Sequence, residues 1–303
     1  MTSMENEKSN LPASVMIFGC GYVGTALAQA LMAEGVRVGA LTRNAKRASE
    51  LREMRVSEVI EAELDGHAWK TQLQGCYDSV VNCVSSAGGG LDGYRKSYVD
   101  GQARILEWAE GQSIRSLVYT SSTSVYPQDG GEAVDETADT SAAPATGQLL
   151  LESERRIAAA AEYLKKWYVL RLAGIYGPGR HYLLDQLLGG AGAIPGRGDY
   201  HMNMIHLDDS VAAILAALAG QAPSGVYNIC DDAPATKATV LGYLAGRLGQ
   251  PAPKFDPKAV SSRLQRRGGR MPDRRVLNGK AKAGFEWRLK YPSYREGYAA
   301  LLP

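Results

Sequence analysis

The sequence predicts an α/β fold in which parallel strands alternate with helices. Three observations carry this expectation. From Val15 the apolar residues fall into short runs separated by longer stretches of helical spacing. A glycine-rich turn, Gly19-Cys20-Gly21-Tyr22-Val23-Gly24, joins the first run to the first helical stretch. After Ala173 the alternation gives way to a Gly/Pro-rich passage over Gly174 to Gly198.

The expected strands are Val15–Phe18, Val36–Leu41, Val56–Ile60, Ser79–Val84, Ser116–Thr120 and Trp167–Leu172, short runs rich in apolar residues, as strands of a parallel sheet read. Between them the spacing predicts helices over Thr25–Glu34, Ala45–Arg52, Trp69–Leu73, Val99–Glu110 and Gln148–Leu164, with Gly35, Gly75 and Gly111 where helices end. A further helix is expected over Asp209–Leu218, with Asp208 or Asp209 as its N-cap, and a strand over Val226–Cys230. A smaller helical region follows, entered through Pro251, Pro253 and Pro257.

Composition excludes several classes. The 303 residues hold 34 Lys+Arg against 32 Asp+Glu, a net charge of +2, and 45% are hydrophobic, which is neither a disordered polyelectrolyte nor a membrane protein. No apolar run approaches the roughly 18 residues of a spanning helix, so no membrane partner is expected. Cys20, Cys76, Cys83 and Cys230 are scattered without a C-x-x-C pair, which suits a reduced cytoplasm and offers neither a disulfide framework nor a metal site. Residues 258–290 carry eleven Lys+Arg and two Asp+Glu. Aromatics do not interleave with these charges, so nucleic acid is not expected and an anionic small molecule is the better partner.

The turn at 19–24 is G-x-G-x-x-G between a buried-type strand and an apolar helix. In that setting the first glycine permits the tight turn, the second lets backbone approach a pyrophosphate, and the third brings helix against strand. The expected cofactor contacts are Gly19, Cys20, Gly21, Tyr22, Val23 and Gly24. An NAD site places a carboxylate at the end of the second strand for the ribose 2′-hydroxyl. Here the sequence reads Thr42-Arg43-Asn44, a cation flanked by two neutral donors, which favours NADP.

These motifs resemble the short-chain dehydrogenase/reductase superfamily in its extended form, which includes nucleotide-sugar epimerases and dehydratases. The likeness continues through Asp78–Asn82, Val118–Tyr126, Leu170–Gly179, Ile205–Asp209 and Gly225–Ile229. It implies a Rossmann-type, doubly wound parallel sheet of about seven strands with a small C-terminal substrate region. The expected division is a loose tail at 1–13, an NADP-binding domain at 14–178 and 200–231, and a substrate-covering region at 179–199 and 232–303.

The family's catalytic signature is a Tyr, a Lys four residues later, and a hydroxyl after the fifth strand. Ser122 matches the hydroxyl. Aligning Gly147–Glu154 on the family's Y-G-x-S-K-x-E-x-E puts Thr146 at the Tyr and Leu150 at the Lys, and no other Tyr in the chain supplies the pair. The likeness is therefore to the atypical branch. Tyr98, at the family's active-site Asn, is the substitute proton donor offered by the alignment. Thr146 is a weaker one, its hydroxyl being too poor an acid for efficient proton transfer. His181, in the loop after Tyr176–Arg180, is the candidate substrate contact, and the arginines at 263, 266, 267, 270, 274 and 275 are candidates for an anion. The expected function is an NADP-dependent oxidoreductase or epimerase-like enzyme acting on a small polar or anionic carbonyl or alcohol; a homo-oligomer is compatible with it. The competing reading is a catalytically silent NADP-binding sensor or scaffold.

Overall fold

The computed structural model describes residues 10–86, 88, 90–189, 193–259 and 271–302. The chain runs β1 (Ser14–Phe18), α1 (Tyr22–Ala33), β2 (Arg37–Thr42), α2 (Ala45–Glu53), β3 (Glu58–Glu61), α3 (Ala68–Gln72) and β4 (Ser79–Asn82). It continues through α4 (Gly90–Tyr94), a π-helical turn (Arg95–Asp100), α5 (Gly101–Glu110), β5 (Ser116–Ser122), α6 (Ala145–Ala159), β6 (Lys166–Leu172) and α7 (Tyr182–Leu188). Then come α8 (Leu207–Ala219), β7 (Gly225–Ile229), α9 (Lys237–Arg247), α10 (Gly279–Phe285) and α11 (Tyr294–Ala299).

The seven strands form one sheet in the order β7-β6-β5-β4-β1-β2-β3, every pair parallel. Winding outward from β1 to β3 and then from β4 to β7 reverses the strand order between β1 and β4. That reversal opens a crevice at the strands' carboxyl ends, where open α/β sheets bind ligands. Both faces are covered. On one, Leu27 and Leu31 of α1 and Ala213 and Ile214 of α8 pack on Val15, Ile17 and Val118. On the other, Trp69, Ile105 and Ile157 pack on Met16, Phe18 and Tyr119. A third cluster lies outside the sheet, where Leu183 and Leu184 of α7 meet Val240, Leu241 and Leu244 of α9 and Tyr294 and Tyr298 of α11.

The expected elements hold, with shifts at their ends. The segment after β4 is helical from Gly90, ahead of the expected Val99, and passes through the π turn on the way. Helix α6 begins at Ala145 and closes in a 3₁₀ turn at Ala160–Glu162. Gly35 is left-handed at φ +74°, as a helix end requires, whereas Gly75 stands beyond the cap of α3 at Leu73. The N-cap of α8 is His206, whose Nδ1 accepts the Asp208 N–H at 3.1 Å. Asp209 instead is buried and accepts the Lys290 and Tyr291 N–H groups at 2.6 and 3.0 Å, fastening the C-terminal region to the sheet domain. One pairing lacks any apolar signature. Glu132–Val134 lies parallel to Arg274–Val276, so a segment near the end of the chain joins the loop that follows β5.

Candidate functional site

The glycine turn closes the carboxyl end of β1. Gly19 has φ +89°, and a Cβ there would meet the Val84 backbone at 2.5 Å; a Cβ on Gly24 would meet the Gly19 carbonyl at 2.5 Å. Neither position admits a side chain. A Cβ on Gly21 would touch nothing within 4 Å, so the backbone is bare toward the crevice there. The first amides of α1 have no intrahelical acceptor and carry the positive end of the helix dipole. This is a cradle for a diphosphate, and its residues fit a dinucleotide.

The crevice above it is a cleft of about 850 Å³. Of the six expected cradle residues, the five from Gly19 to Val23 line it together with Thr42, Arg43 and Asn44 of the β2 end, and Gly24 sits behind them against the strand. Arg43 makes only a loose ion pair with Glu63 at 3.9 Å, both side chains well exposed. A second hollow of about 290 Å³ shares Cys20, Gly21, Thr42 and Asn44 with the cleft and adds Lys46, Arg47 and Glu50. Asn44 caps α2, its Oδ1 accepting the Arg47 N–H at 2.9 Å. Three cations, Arg43, Lys46 and Arg47, thus stand between the end of β2 and the first turn of α2, at the rim of the cleft and of the hollow.

Toward the other end, Ser122 and Tyr98 line the same cleft. Ser122 Oγ accepts the Ser124 N–H at 3.2 Å, and Tyr98 Oη accepts the Ser86 N–H at 3.2 Å. Each hydroxyl therefore keeps its own hydrogen to donate. Burial, with a smaller contribution from Tyr94, pushes the Tyr98 phenol up to about 12. Thr146 is half-buried in the first turn of α6, outside the residues lining the cleft, and Leu150 is 2% exposed within the core. The position of the family's lysine is filled with hydrocarbon. His181 pairs with Asp185 at 2.9 Å and is likewise absent from the lining, whereas its neighbour Arg180 is part of it.

A polar network lies under the hydroxyl end. Ser121, in the cleft wall, donates to Glu154 at 2.6 Å. Glu154 holds Arg171 at two points, and Arg171 donates to Tyr126, whose hydroxyl donates to Asn228 at 2.7 Å. Arg274 closes the turn after Ser122 from outside by donating to the Thr123 carbonyl at 3.0 Å.

Sequence reasoning missed five contributors. Lys46 and Arg47 were legible in principle, because cations in the first turn of a helix oppose the helix dipole and call for an anion nearby. Ser121 and Glu154 needed the strand-to-helix pairing, and Arg180 needed the fold of its loop. Of the C-terminal arginines, 263, 266, 267 and 270 lie outside the described residues; Arg274 is buried and Arg275 donates to the Gly131 carbonyl at 3.1 Å.

A parallel sheet with a glycine cradle at its strand-order reversal defines a dinucleotide-binding protein of Rossmann type. The chain belongs to the NAD dependent epimerase/dehydratase family, which it matches over residues 15–230. It is 29% identical to a 3-diazoavenalumate denitrifying reductase of a Streptomyces species over 93% of this chain and 98% of that one. It is also 29% identical to a 2-alkyl-3-oxoalkanoate reductase of Shewanella oneidensis, over 76% of this chain and 65% of that one. A UDP-glucuronic acid 4-epimerase from Bacillus cereus, solved with UDP-glucuronic acid and NAD, has the same fold, with a TM-score of 0.80, 20% identity and coverage of 95% and 97% of the two chains. The chain is thus an NAD(P)-dependent, oxidoreductase- or epimerase-like protein. Among the described residues no helix is long and apolar enough to cross a membrane.

Proposed function

We propose that the protein is an NADPH-dependent reductase of a small carboxylate-bearing carbonyl compound. The reading rests on one observation: Ser122 and Tyr98 stand in the wall of the cleft that the glycine cradle opens into, each oxygen bonded to a backbone N–H and each O–H left to donate. Two relatives, a 3-diazoavenalumate denitrifying reductase and a 2-alkyl-3-oxoalkanoate reductase, are named for carboxylate substrates, and the second for a carbonyl compound, which supports this substrate class.

Bound nicotinamide cofactor supplies the hydride. The chain's own residues do the rest. The cradle amides and the dipole of α1 hold the diphosphate. Arg43, Lys46 and Arg47 neutralise the 2′-phosphate that distinguishes NADP from NAD. Ser122 donates to the carbonyl oxygen and holds it, and its bond to that oxygen strengthens as the oxygen becomes an alkoxide. Tyr98 delivers the proton. A phenol held near 12 is a slow acid, yet an alkoxide is more basic still, so the transfer runs downhill. Ser121 is committed to Glu154 and serves the wall's geometry.

One observation favours the silent-binder reading: Leu150 cannot supply the ammonium that ordinarily activates the proton donor. Incubating the protein with NADPH and a panel of 3-oxoalkanoates of different chain length, and following NADPH oxidation, separates the two. Turnover lost in Ser122→Ala supports the reductase; saturable NADPH binding without turnover supports the silent binder.

A further inference from the structure

We propose that Arg180 is the carboxylate anchor of the cleft, gripping the substrate's anionic end with its guanidinium fork. The charged side chains that line the cleft are Arg43, Glu63, Asp65, Asp92, Lys96 and Arg180. Arg43 faces Glu63 at 3.9 Å and Lys96 faces Asp65 at 3.6 Å, across the end of the cleft near β2 and β3. Among the described residues, Arg180 has no carboxylate within ion-pair distance.

Its place is fixed twice. The Gly177 N–H donates to the Arg180 carbonyl and the Arg180 N–H to the Gly177 carbonyl, both at 3.0 Å, across a turn in which Gly177 and Gly179 have φ of +153° and +70°. The guanidinium carbon lies 5.4 Å from the centroid of the Tyr22 ring, and the Tyr22 hydroxyl donates to the Pro178 carbonyl of that same turn at 3.0 Å. Ring and turn thus hold each other, and the arginine rests on the ring. A guanidinium held over a ring still has N–H groups to donate, and a pair of them matches the two oxygens of a carboxylate.

Two anions could meet this edge: the cofactor's diphosphate or the substrate's carboxylate. The diphosphate already has the cradle amides. Leu172, which ends β6 in register with Ser122 at the end of β5, and Ala173, Gly174 and Ile175, which lead from it toward the Arg180 turn, line the cleft together with Arg180. A carbonyl oxygen on Ser122 and an anion on Arg180 give a bound acid two fixed points. This assignment rests on the reductase reading for the identity of the acid, though not for the existence of the anion site.

The test is calorimetric titration of the NADP-saturated protein, a complex without turnover, with 3-oxohexanoate and with its methyl ester. The wild type should bind the acid and prefer it over the ester. Arg180→Ala should weaken the acid about ten- to a hundredfold, the range of a charge-assisted hydrogen bond, and leave the ester and NADPH nearly unchanged. Arg180→Lys, which keeps the charge without the fork, should fall between. Equal losses for acid and ester, an unchanged affinity for the acid, or no binding of the acid by the wild type at millimolar concentration overturns the assignment. A loss of NADPH affinity with acid binding intact assigns Arg180 to the diphosphate and overturns it too. A wild type that binds the acid through Arg180 but oxidises no NADPH keeps the anchor and removes the reductase.

Discussion

Glu154 of α6 and Arg171 of β6 form a two-point ion pair, 2.6 and 3.1 Å, with both side chains 6% exposed. The pair fixes the helix that carries the vacant catalytic positions to the strand beside Ser122. The carboxylate raises the arginine's already high pKa further, so the charge is permanent. Removing one partner strands the other without water. Glu154→Ala should cost about 3–5 kcal/mol in urea unfolding. The double variant Glu154→Met/Arg171→Met should recover much of that, since apolar residues of similar volume often replace a buried pair at little cost. A double variant no more stable than the single one contradicts this account.

NADPH should bind more tightly than NADH. Arg43→Ala should reduce that preference about ten- to a hundredfold, the value of a charge-assisted bond. Arg47→Ala should reduce it less, because Arg47 already holds Glu50 at 2.5 Å. Fluorescence titrations with both cofactors give the ratios; an unchanged ratio in both variants removes the basic hollow from cofactor choice.

Ser122→Ala and Tyr98→Phe should each lower kcat about 10²- to 10³-fold, with cofactor affinity preserved. Because burial holds the Tyr98 phenol near 12, the rate should show no alkaline decline from that group up to pH 10. Full activity in Tyr98→Phe transfers the proton delivery to another group.

Leu150→Lys should destabilise the fold instead of restoring the family's chemistry. Leu150 is a core residue, and an ammonium there has no water, while the buried carboxylate one turn on, Glu154, is already taken by Arg171 and Ser121. The combination Thr146→Tyr/Leu150→Lys should therefore melt below the wild type; an increase in reductase rate with unchanged melting would show that α6 can turn to present both.

Burial pushes the Asp231 carboxyl up to about 8, while one of its oxygens lacks a hydrogen-bond partner among the described residues. In the unfolded chain an aspartate titrates near 3.9. Between about pH 4 and pH 8 the folded protein keeps a proton that the unfolded chain has released. Stability from this group is therefore full at low pH and is lost as pH rises through that window, by at most about 1.4 kcal/mol per pH unit. Asp231→Asn should flatten the dependence. Urea midpoints at pH 5, 6.5 and 8 measure it, and parallel curves for variant and wild type would refute the assignment.

The sheet and the cradle are legible in the sequence for a physical reason. Strands buried on both faces need continuous apolar runs, and Gly19 and Gly24 stand where any Cβ collides with backbone, so both leave marks in the local sequence. Ser122 was found through the resemblance, whose signature places a hydroxyl after the fifth strand. What escaped was whatever depends on distant segments meeting. Arg180 rests on Tyr22, 158 residues earlier, and no local pattern announces it. The strand Glu132–Val134 has only three residues, of which Val134 alone is buried, too few to show in the sequence. The cap of α8 was misread because a histidine took the role expected of the neighbouring aspartates.

The parallel pair Glu132–Val134 and Arg274–Val276 also bears on how the protein comes to be made. Loop closure across some 140 residues is entropically costly and is deferred until nearer contacts have formed. The sheet, which is complete at Ile229, and the cradle can assemble as those residues emerge from the ribosome, giving a nascent chain competent to take a dinucleotide. The turn after Ser122 waits for Arg274, whose bond to the Thr123 carbonyl arrives with the last tenth of translation. Ribosome-stalled chains ending before residue 274 should thus acquire cofactor binding before the reactive hydroxyl is locked in place.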